Sequence, residues 1–285
     1  MTRTRADKIY YEAYKKATSF KIPFFMDEEG IYHNSAELFE KAGHLYKSEK
    51  IINKAIDSYT NAGRCYLHAN QDYDSIRVYE MAANLCKNID ENKMIILYDK
   101  IIYLMIDQGM FNKVGEIYIK IAEFYNKNGD VINTIKNYQN AIEFFEQEGI
   151  ECGKYIIKVG DLFALSQHYT KAILTYDKVA HQYINNNILK YQVRKIIYKI
   201  LLCYFANRID IFTILHKYCN LDISFTNSRE YNLILSIKQS IENNDIEIFQ
   251  KSIKEYDDIT RFDDWNITIL SRIKKRIEEF EIDLA

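Results

Sequence analysis

Few residues in this 285-residue chain are spaced for bond-making chemistry. Cys152-Gly-Lys154 has the ending of a phosphate-binding loop. That loop needs Gly at 148, which is Glu148, and Ser or Thr at 155, which is Tyr155. His33, His44, His68, His168, His181 and His216 are scattered. Cys65, Cys86, Cys152, Cys203 and Cys219 form no CxxC pair. Neither set has metal-site spacing, and no HExxH or GxSxG pattern occurs. The chain reads as a non-enzyme that needs no cofactor.

What the sequence offers instead is recognition chemistry, in three places. Lys154 and Lys158 are four apart, as are Lys190 and Arg194, so each pair shares a helix face. Such a face suits an acidic partner, although solvated lysines are the plainer alternative. Around the single proline, Phe20, Ile22, Phe24, Phe25 and Met26 form an apolar stretch without helical period, followed by Asp27-Glu-Glu-Gly30. This predicts a loop over 19–30, either packed on the first helices or presented to an apolar surface. Near the C-terminus, Arg272, Lys274, Lys275 and Arg276 precede Glu278, Glu279, Glu281, Asp283 and Leu284. Basic residues late in a helix complement its dipole, but acidic residues beyond them do not follow from that rule.

The elements that must position these groups are helices. Nine glycines and one proline are too few for the turns of a β-rich chain, because Gly supplies positive φ and Pro pre-sets φ. A five-point pattern then recurs: a small residue, an aromatic three later, a small one at twelve, Tyr at sixteen, Ala or Val at nineteen. Gly43, Tyr46, Ala55, Tyr59 and Ala62 fit it, as do Gly63, Tyr66, Ser75, Tyr79 and Ala82. Ala122, Tyr125, Thr134, Tyr138 and Ala141 repeat it, and so do Gly160, Phe163, Ala172, Tyr176 and Val179. Steps of three and four keep one face and the longer gap crosses a turn. This is the logic of tetratricopeptide-like (TPR-like) pairs, which bury their apolar faces on their neighbours. The tyrosines are core.

Turn signals at Asp107-Gln-Gly109, Asn126-Lys-Asn-Gly-Asp130, Asn207-Arg-Ile-Asp210 and Glu242-Asn-Asn-Asp245 punctuate the pattern. They predict helices over 5–19, 34–47, 51–69, 73–87, 91–107, 112–127, 131–147, 152–165, 169–185, 189–206, 210–218, 228–243, 246–257 and 263–280. The pattern fades near 209. The expected fold is all-α: a TPR-like helical-hairpin solenoid over 1–208, closed by a C-terminal helical bundle over 209–285. A net charge of −2 argues against a nucleic-acid partner. No apolar region follows Met1-Thr-Arg-Thr-Arg5, and no stretch approaches the roughly 18 apolar residues of a membrane span. The expectation is reduced thiols and a cytoplasmic location.

Several segments resemble one family. Tyr155-Ile-Ile-Lys-Val-Gly-Asp-Leu-Phe-Ala-Leu165, Gln167-His-Tyr-Thr-Lys-Ala-Ile-Leu-Thr-Tyr176, Leu189-Lys-Tyr191 and Cys203-Tyr-Phe205 are similar to the central helices of soluble NSF attachment proteins. Phe225-Thr-Asn-Ser-Arg-Glu230, Ser252-Ile-Lys-Glu-Tyr-Asp257, Arg261-Phe-Asp-Asp-Trp265, Ile269-Leu-Ser-Arg-Ile-Lys-Lys275 and the ending Asp283-Leu-Ala285 resemble its alpha/beta (alpha-SNAP) branch.

The resemblance implies an adaptor, monomeric alone, of which several copies wrap an assembled SNARE four-helix bundle. They recruit and stimulate the AAA+ ATPase NSF, which takes the bundle apart in vesicle fusion and intracellular transport. It carries SNARE contacts onto Lys154, Leu189, Tyr191, Arg194 and Arg229, beside Lys158 and Lys190. One basic position of the family falls on Glu116, with Lys113 and Lys120 close by. It implies weak peripheral membrane contact through Phe20, Phe24, Phe25 and Met26. NSF coupling is implied for Glu278, Glu279, Glu281, Asp283 and the penultimate Leu284. The competing expectation is a generic TPR-like scaffold that binds peptide tails.

Overall fold

Every element in the described part of the chain is helical. The computed structural model describes residues 4–18 and 27–282, with side chains to 279. Among these residues there are fourteen α-helices, two short 3-10 turns and no strand. They are α1 (Arg5–Thr18), α2 (Glu28–Ser48), α3 (Ile52–His68), α4 (Asp72–Cys86), α5 (Glu91–Asp107), α6 (Phe111–Lys127) and α7 (Val131–Gln147). After them come α8 (Gly153–Leu165), α9 (Tyr169–Ile184), α10 (Val193–Ala206), α11 (Phe212–Leu221), α12 (Arg229–Asn243), α13 (Ile246–Asp257) and α14 (Asp264–Ile282).

Four helices differ from expectation by more than one residue: α11 is shifted towards the C-terminus, α14 ends two residues later, and α2 and α10 start elsewhere. Glu28–Gly30 belong to α2 and not to a loop: the Asp27 carboxylate accepts the Gly30 amide at 2.9 Å and caps the helix. The rest of that predicted loop, 19–26, lies outside the described residues. Residues Leu189–Gln192 form a 3-10 turn ahead of α10 and are not its first turn.

The helices end in a repeated way. Lys50, Asn70, Gly109, Gly129, Gly149, Gln167 and Arg208 all take left-handed φ between 54 and 77° just after a helix. The next amide then reaches five residues back, as from Ile51 to Tyr46, Met110 to Met105, Asp130 to Tyr125 and His168 to Phe163. This closes the last turn as a Schellman cap. Only three of the seven positions are glycine, so most of this punctuation cannot be found by looking for Gly.

Between helices, the contact behind the repeat is a tyrosine ring on a glycine. A Cβ at Gly43 would lie 2.7 Å from the Tyr59 ring, at Gly63 2.5 Å from Tyr79, and at Gly160 2.6 Å from Tyr176. The ring at position sixteen thus fills the space left by the small residue on the preceding helix. All three rings are fully buried. Gly115 does the same for Phe145, and Gly153 for Tyr183, at a separation the five-point pattern does not include.

Charge ties six of the helices to the next but one. Asp7 on α1 bonds Lys54 on α3 at 2.7 Å, and Glu40 on α2 takes Arg77 on α4 at 2.5 and 2.9 Å. Asp57 on α3 holds Lys93 on α5 at 2.7 Å, and Glu80 on α4 holds Lys120 on α6 at 2.9 Å. Asp161 on α8 bonds Lys199 on α10 at 2.5 Å, and Asp177 on α9 bonds Lys217 on α11 at 3.3 Å. The acid always comes first and the base 36 to 47 residues later. Three of these carboxylates also accept a tyrosine hydroxyl from the helix between: Tyr46 on Asp7, Tyr66 on Glu40, Tyr176 on Asp161. Lys54 holds the Asp7 carboxyl well below its usual range, and Arg77 lowers Glu40. Burial raises Tyr46 and Tyr66, and their carboxylate partners add to the rise.

The chain forms two compact units, 1–150 and 151–285. Within the second unit, α14 packs back on α8 and α10. Its buried Ile269, Leu270, Ile273 and Ile277 place the last helix and the last repeat helices in one unit.

Two outcomes follow from this packing. Gly63→Val should cost about 1–3 kcal/mol of overpacking against Tyr79, since Gly and Val differ little in helix propensity. Denaturant unfolding of the variant measures it. Stability should also collapse in alkali. Burial pushes Tyr98 up to about 12, whereas an unfolded tyrosine titrates near pH ~10. This contribution is complete below about pH 10 and is lost as pH rises through about 12. Denaturation midpoints, measured against pH alongside tyrosinate absorbance, report it.

Candidate functional site

Helices α8, α10 and α12 carry a cation where the helix dipole disfavours one. Lys154 is the second residue of α8, Arg194 the second of α10 and Arg229 the first of α12. The positive end of a helix favours anions, and a cation there gives up about 0.3–1 kcal/mol. Other first turns are mixed: α1, α2, α4 and α5 hold acids, whereas α3, α6, α7, α9 and α11 hold none, and Lys54, Lys113 and Lys171 stand in the first turns of α3, α6 and α9. Neither α8 nor α10 has an acid in its first turn. Helix stability therefore does not account for Lys154 and Arg194. Both side chains are exposed, with the positive helix end behind them, an arrangement that favours an anionic partner.

Lys154 and Arg229 each have an aromatic beside them. On α8, the Lys154 and Lys158 ammonium groups stand 4.7 and 5.8 Å from the centre of the half-buried Tyr155 ring. Glu151, just before α8, accepts the Gly153 amide at 2.7 Å and the Tyr183 hydroxyl at 2.8 Å, so the helix start is fixed on α9. The Arg229 guanidinium lies 5.2 Å from the Tyr256 ring centre, and Tyr256 stacks between Tyr198 and Phe262. Burial pushes the Tyr256 hydroxyl up to about 12; Glu230 adds to the rise, while Arg229 and Arg194 oppose it. The Arg229 guanidinium therefore lies on Tyr256, with Arg194 near enough to act on the same hydroxyl. Glu230 sits beside them, 3.4 Å from the Tyr256 hydroxyl.

The turn before α10 presents the remaining residues. The Asn186 carboxamide accepts the amides of Ile188 and Leu189 at 2.9 and 3.1 Å, which locks the turn. Leu189 is half-buried, whereas Ile188 and Tyr191 are 82% and 70% exposed. The Lys190 ammonium stands 5.5 Å from the Tyr191 ring centre. Lys190 and Arg194 thus stand on two elements, a 3-10 turn and α10, and not on one helical face. In the first unit Glu116 is exposed, Lys113 is exposed, and Lys120 is engaged by Glu80.

The basic run of α14 divides in two. Arg272 donates to the backbone carbonyls of Ala164 at 2.9 Å and Leu165 at 2.7 Å, the last residues of α8, and to the Tyr169 hydroxyl at 3.1 Å. Arg276 donates to the Phe205 carbonyl near the end of α10 at 2.9 Å. These two cations do complement helix dipoles, but those of α8 and α10 and not of α14 itself. Lys274 faces outward and pairs with Glu278 at 3.3 Å; Lys275 is exposed. Glu279 takes Arg208 at 2.7 Å. Exposed pairs of this kind contribute about 0–1 kcal/mol, so Glu278 and Glu279 remain open to exchange. Trp265 packs edge-on to Tyr176, with the Lys199 ammonium 4.4 Å from its ring centre.

The side chain of Glu281, with Asp283 and Leu284, lies outside the described residues, as do Phe20, Phe24, Phe25 and Met26. No group of three or more His, Cys, Asp or Glu among the described residues is arranged to hold a metal ion. No described helix is long and apolar enough to cross a membrane. Reading the sequence for basic pairs found the cations but missed Tyr155, Tyr256 and Glu151, which position them. Glu151 carried a legible signal, an acid two residues ahead of a helix start.

Known proteins bear on this arrangement. The family described as "Soluble NSF attachment protein, SNAP" matches residues 4–278. The human alpha-soluble NSF attachment protein is 28% identical over 274 residues, covering 95% of this chain and 92% of its own. The grapevine (Vitis vinifera) protein of that name is 26% identical over 256 residues, covering 88% and 89%. The probable vesicular-fusion protein sec17 homolog of Schizosaccharomyces pombe is 26% identical over 284 residues, covering 98% of each. The match extends from the residue before α1 into the acidic end of α14 and includes all three cation-bearing helix starts, so the chain belongs to the soluble NSF attachment protein family.

Proposed function

We propose that this chain is an adaptor that binds assembled SNARE four-helix bundles and recruits and stimulates an NSF-type AAA+ ATPase for their disassembly. Family membership supports the reading. The observation that carries it to particular residues is the set of exposed cations at the starts of α8, α10 and α12, with Lys158 and Lys190 close by in sequence. Lys154, Lys158, Lys190, Arg194 and Arg229 face the bundle, with Leu189 and Tyr191 as apolar contacts between them. Charge complementarity of this kind orients an acidic partner without demanding one fixed pair for each cation. Glu278, Glu279, Glu281, Asp283 and Leu284 form the ATPase-coupling end. Phe20, Phe24, Phe25 and Met26 supply a weak membrane contact for a monomer that acts in several copies per bundle, at the cytoplasmic face of membranes.

Each exposed pair contributes about 0–1 kcal/mol, so binding needs many of them and weakens with salt. Lys154→Glu combined with Arg194→Glu should abolish capture of an assembled bundle, and wild-type capture should fall as ionic strength rises. Unchanged capture by the double variant would remove these helix starts from the interface. Preference for a free linear tail over the bundle would favour a peptide-binding scaffold.

Coupling is read by ATP-dependent disassembly of a purified SNARE complex. Leu284→Ala should bind the bundle and fail to drive its disassembly. In the same assay, Phe24→Ser with Phe25→Ser should slow disassembly on liposomes and leave detergent-solubilised complexes nearly unaffected. Equal loss in both formats counts against a membrane role.

A further inference from the structure

The proposed bundle-facing cations and the proposed coupling end lie on different helices, and Arg272 and Arg276 connect them. Lys154 and Lys158 are on α8 and Arg194 is on α10. The opposite ends of these two helices are the ones α14 grips, through Arg272 on the Ala164 and Leu165 carbonyls and Arg276 on the Phe205 carbonyl. Both arginines are half-buried and lie one helical turn apart. The final turn of a helix leaves carbonyls without intrahelical partners. Here another helix supplies two of the closing groups, from 108 and 71 residues away in sequence. Hydrogen bonds from a guanidinium are shorter and stronger than those between neutral groups, and two from Arg272 at once fix direction as well as distance. Nearer its start, α14 is held by Trp265 against Tyr176 and Lys199, and Lys199 is bonded to Asp161 of α8. The helix is therefore anchored along its length on the two helices that carry the cations.

We infer that Arg272 and Arg276 are positioning residues for coupling: they hold α14 in register with α8 and α10, so that a load on the C-terminal end reaches the bundle-facing helices without slippage. This inference rests on the adaptor reading. Neither arginine needs to touch the bundle or the ATPase for it to hold.

The test separates binding from turnover in full-length protein carrying Arg272→Ala with Arg276→Ala. Bundle capture and ATPase recruitment should match wild type, because the cations and the acidic end are unchanged. Disassembly at saturating adaptor should slow about fivefold, within the range typical of residues that couple sites without contacting either ligand. Arg272→Lys with Arg276→Lys, which keeps the charge and loses the bidentate grip, should recover part of the rate. Amide hydrogen exchange should quicken in α14 while α8 stays protected. Wild-type disassembly rates in the alanine variant would overturn the inference. So would joint loss of capture, recruitment and thermal stability, which would mark a purely structural role. A wild-type protein that drives no disassembly would overturn the adaptor reading itself. The exchange measurement keeps the two failures apart, because unchanged α14 exchange in the alanine variant refutes the grip whatever the ATPase does.

Discussion

A carboxylate shared by three helices is the contact on which the repeat architecture depends. A helical stack of this kind has no edge to close, so its order rests on local ties. Ring-on-glycine packing fixes α2 against α3, α3 against α4, α6 against α7 and α8 against α9, but it sets only the distance of approach. Asp7, Glu40 and Asp161 add direction, because each accepts a tyrosine from the neighbouring helix and a base from the one after it. The tyrosine could not be buried otherwise at low cost: an unpaired buried hydroxyl loses about 1–3 kcal/mol. Tyr176 does both: its ring fills the gap at Gly160, and its hydroxyl reaches the Asp161 oxygen that Lys199 also bonds.

Much of this was legible beforehand. Ten of the fourteen predicted helices coincide with observed ones to within one residue at both ends, because Tyr, Gly and Ala spacing reports the buried faces directly. The misses have physical causes. Glu28–Gly30 falls in the predicted loop because the proline and the missing apolar period carry no helix signal, yet the Asp27 cap starts α2 there. The turn at Leu189–Gln192 was read as helix because a 3-10 turn and an α-turn differ by a hydrogen-bond offset and share composition. The return of α14 to α8 could not be found from a fading repeat, since that contact spans more than a hundred residues. The acid-first, base-later ties were present in the sequence at 36 to 47 residues but follow no helical period, so a search by face could not see them.

The candidate site shows how little charge alone reveals. Arg272 and Lys274 are two residues apart on one helix; the first closes the end of α8 and the second lies at the surface with Glu278. Lys154 and Lys199 are both lysines of the second unit, yet one is exposed at a helix start and the other is committed to Asp161 beneath an indole. What distinguishes them is the local field and the neighbours, which the residue type does not encode. The dipole argument recovers part of that information, since it needs only helix boundaries. It does not decide alone: Lys54 and Lys93 also stand in first turns, yet each is committed to an acid, Asp7 and Asp57.

Trp265 is the chain's single tryptophan among 24 tyrosines. It lies edge-on to Tyr176 and under the Lys199 ammonium, at the point where the last helix joins its unit. An indole so placed is a built-in optical gauge. Its emission colour depends on the charge held over the ring and on the dryness of the seat, and tyrosines excited elsewhere can feed it. Light from one residue therefore reports whether the final helix is seated, with no label attached and no change to any surface that a partner would touch.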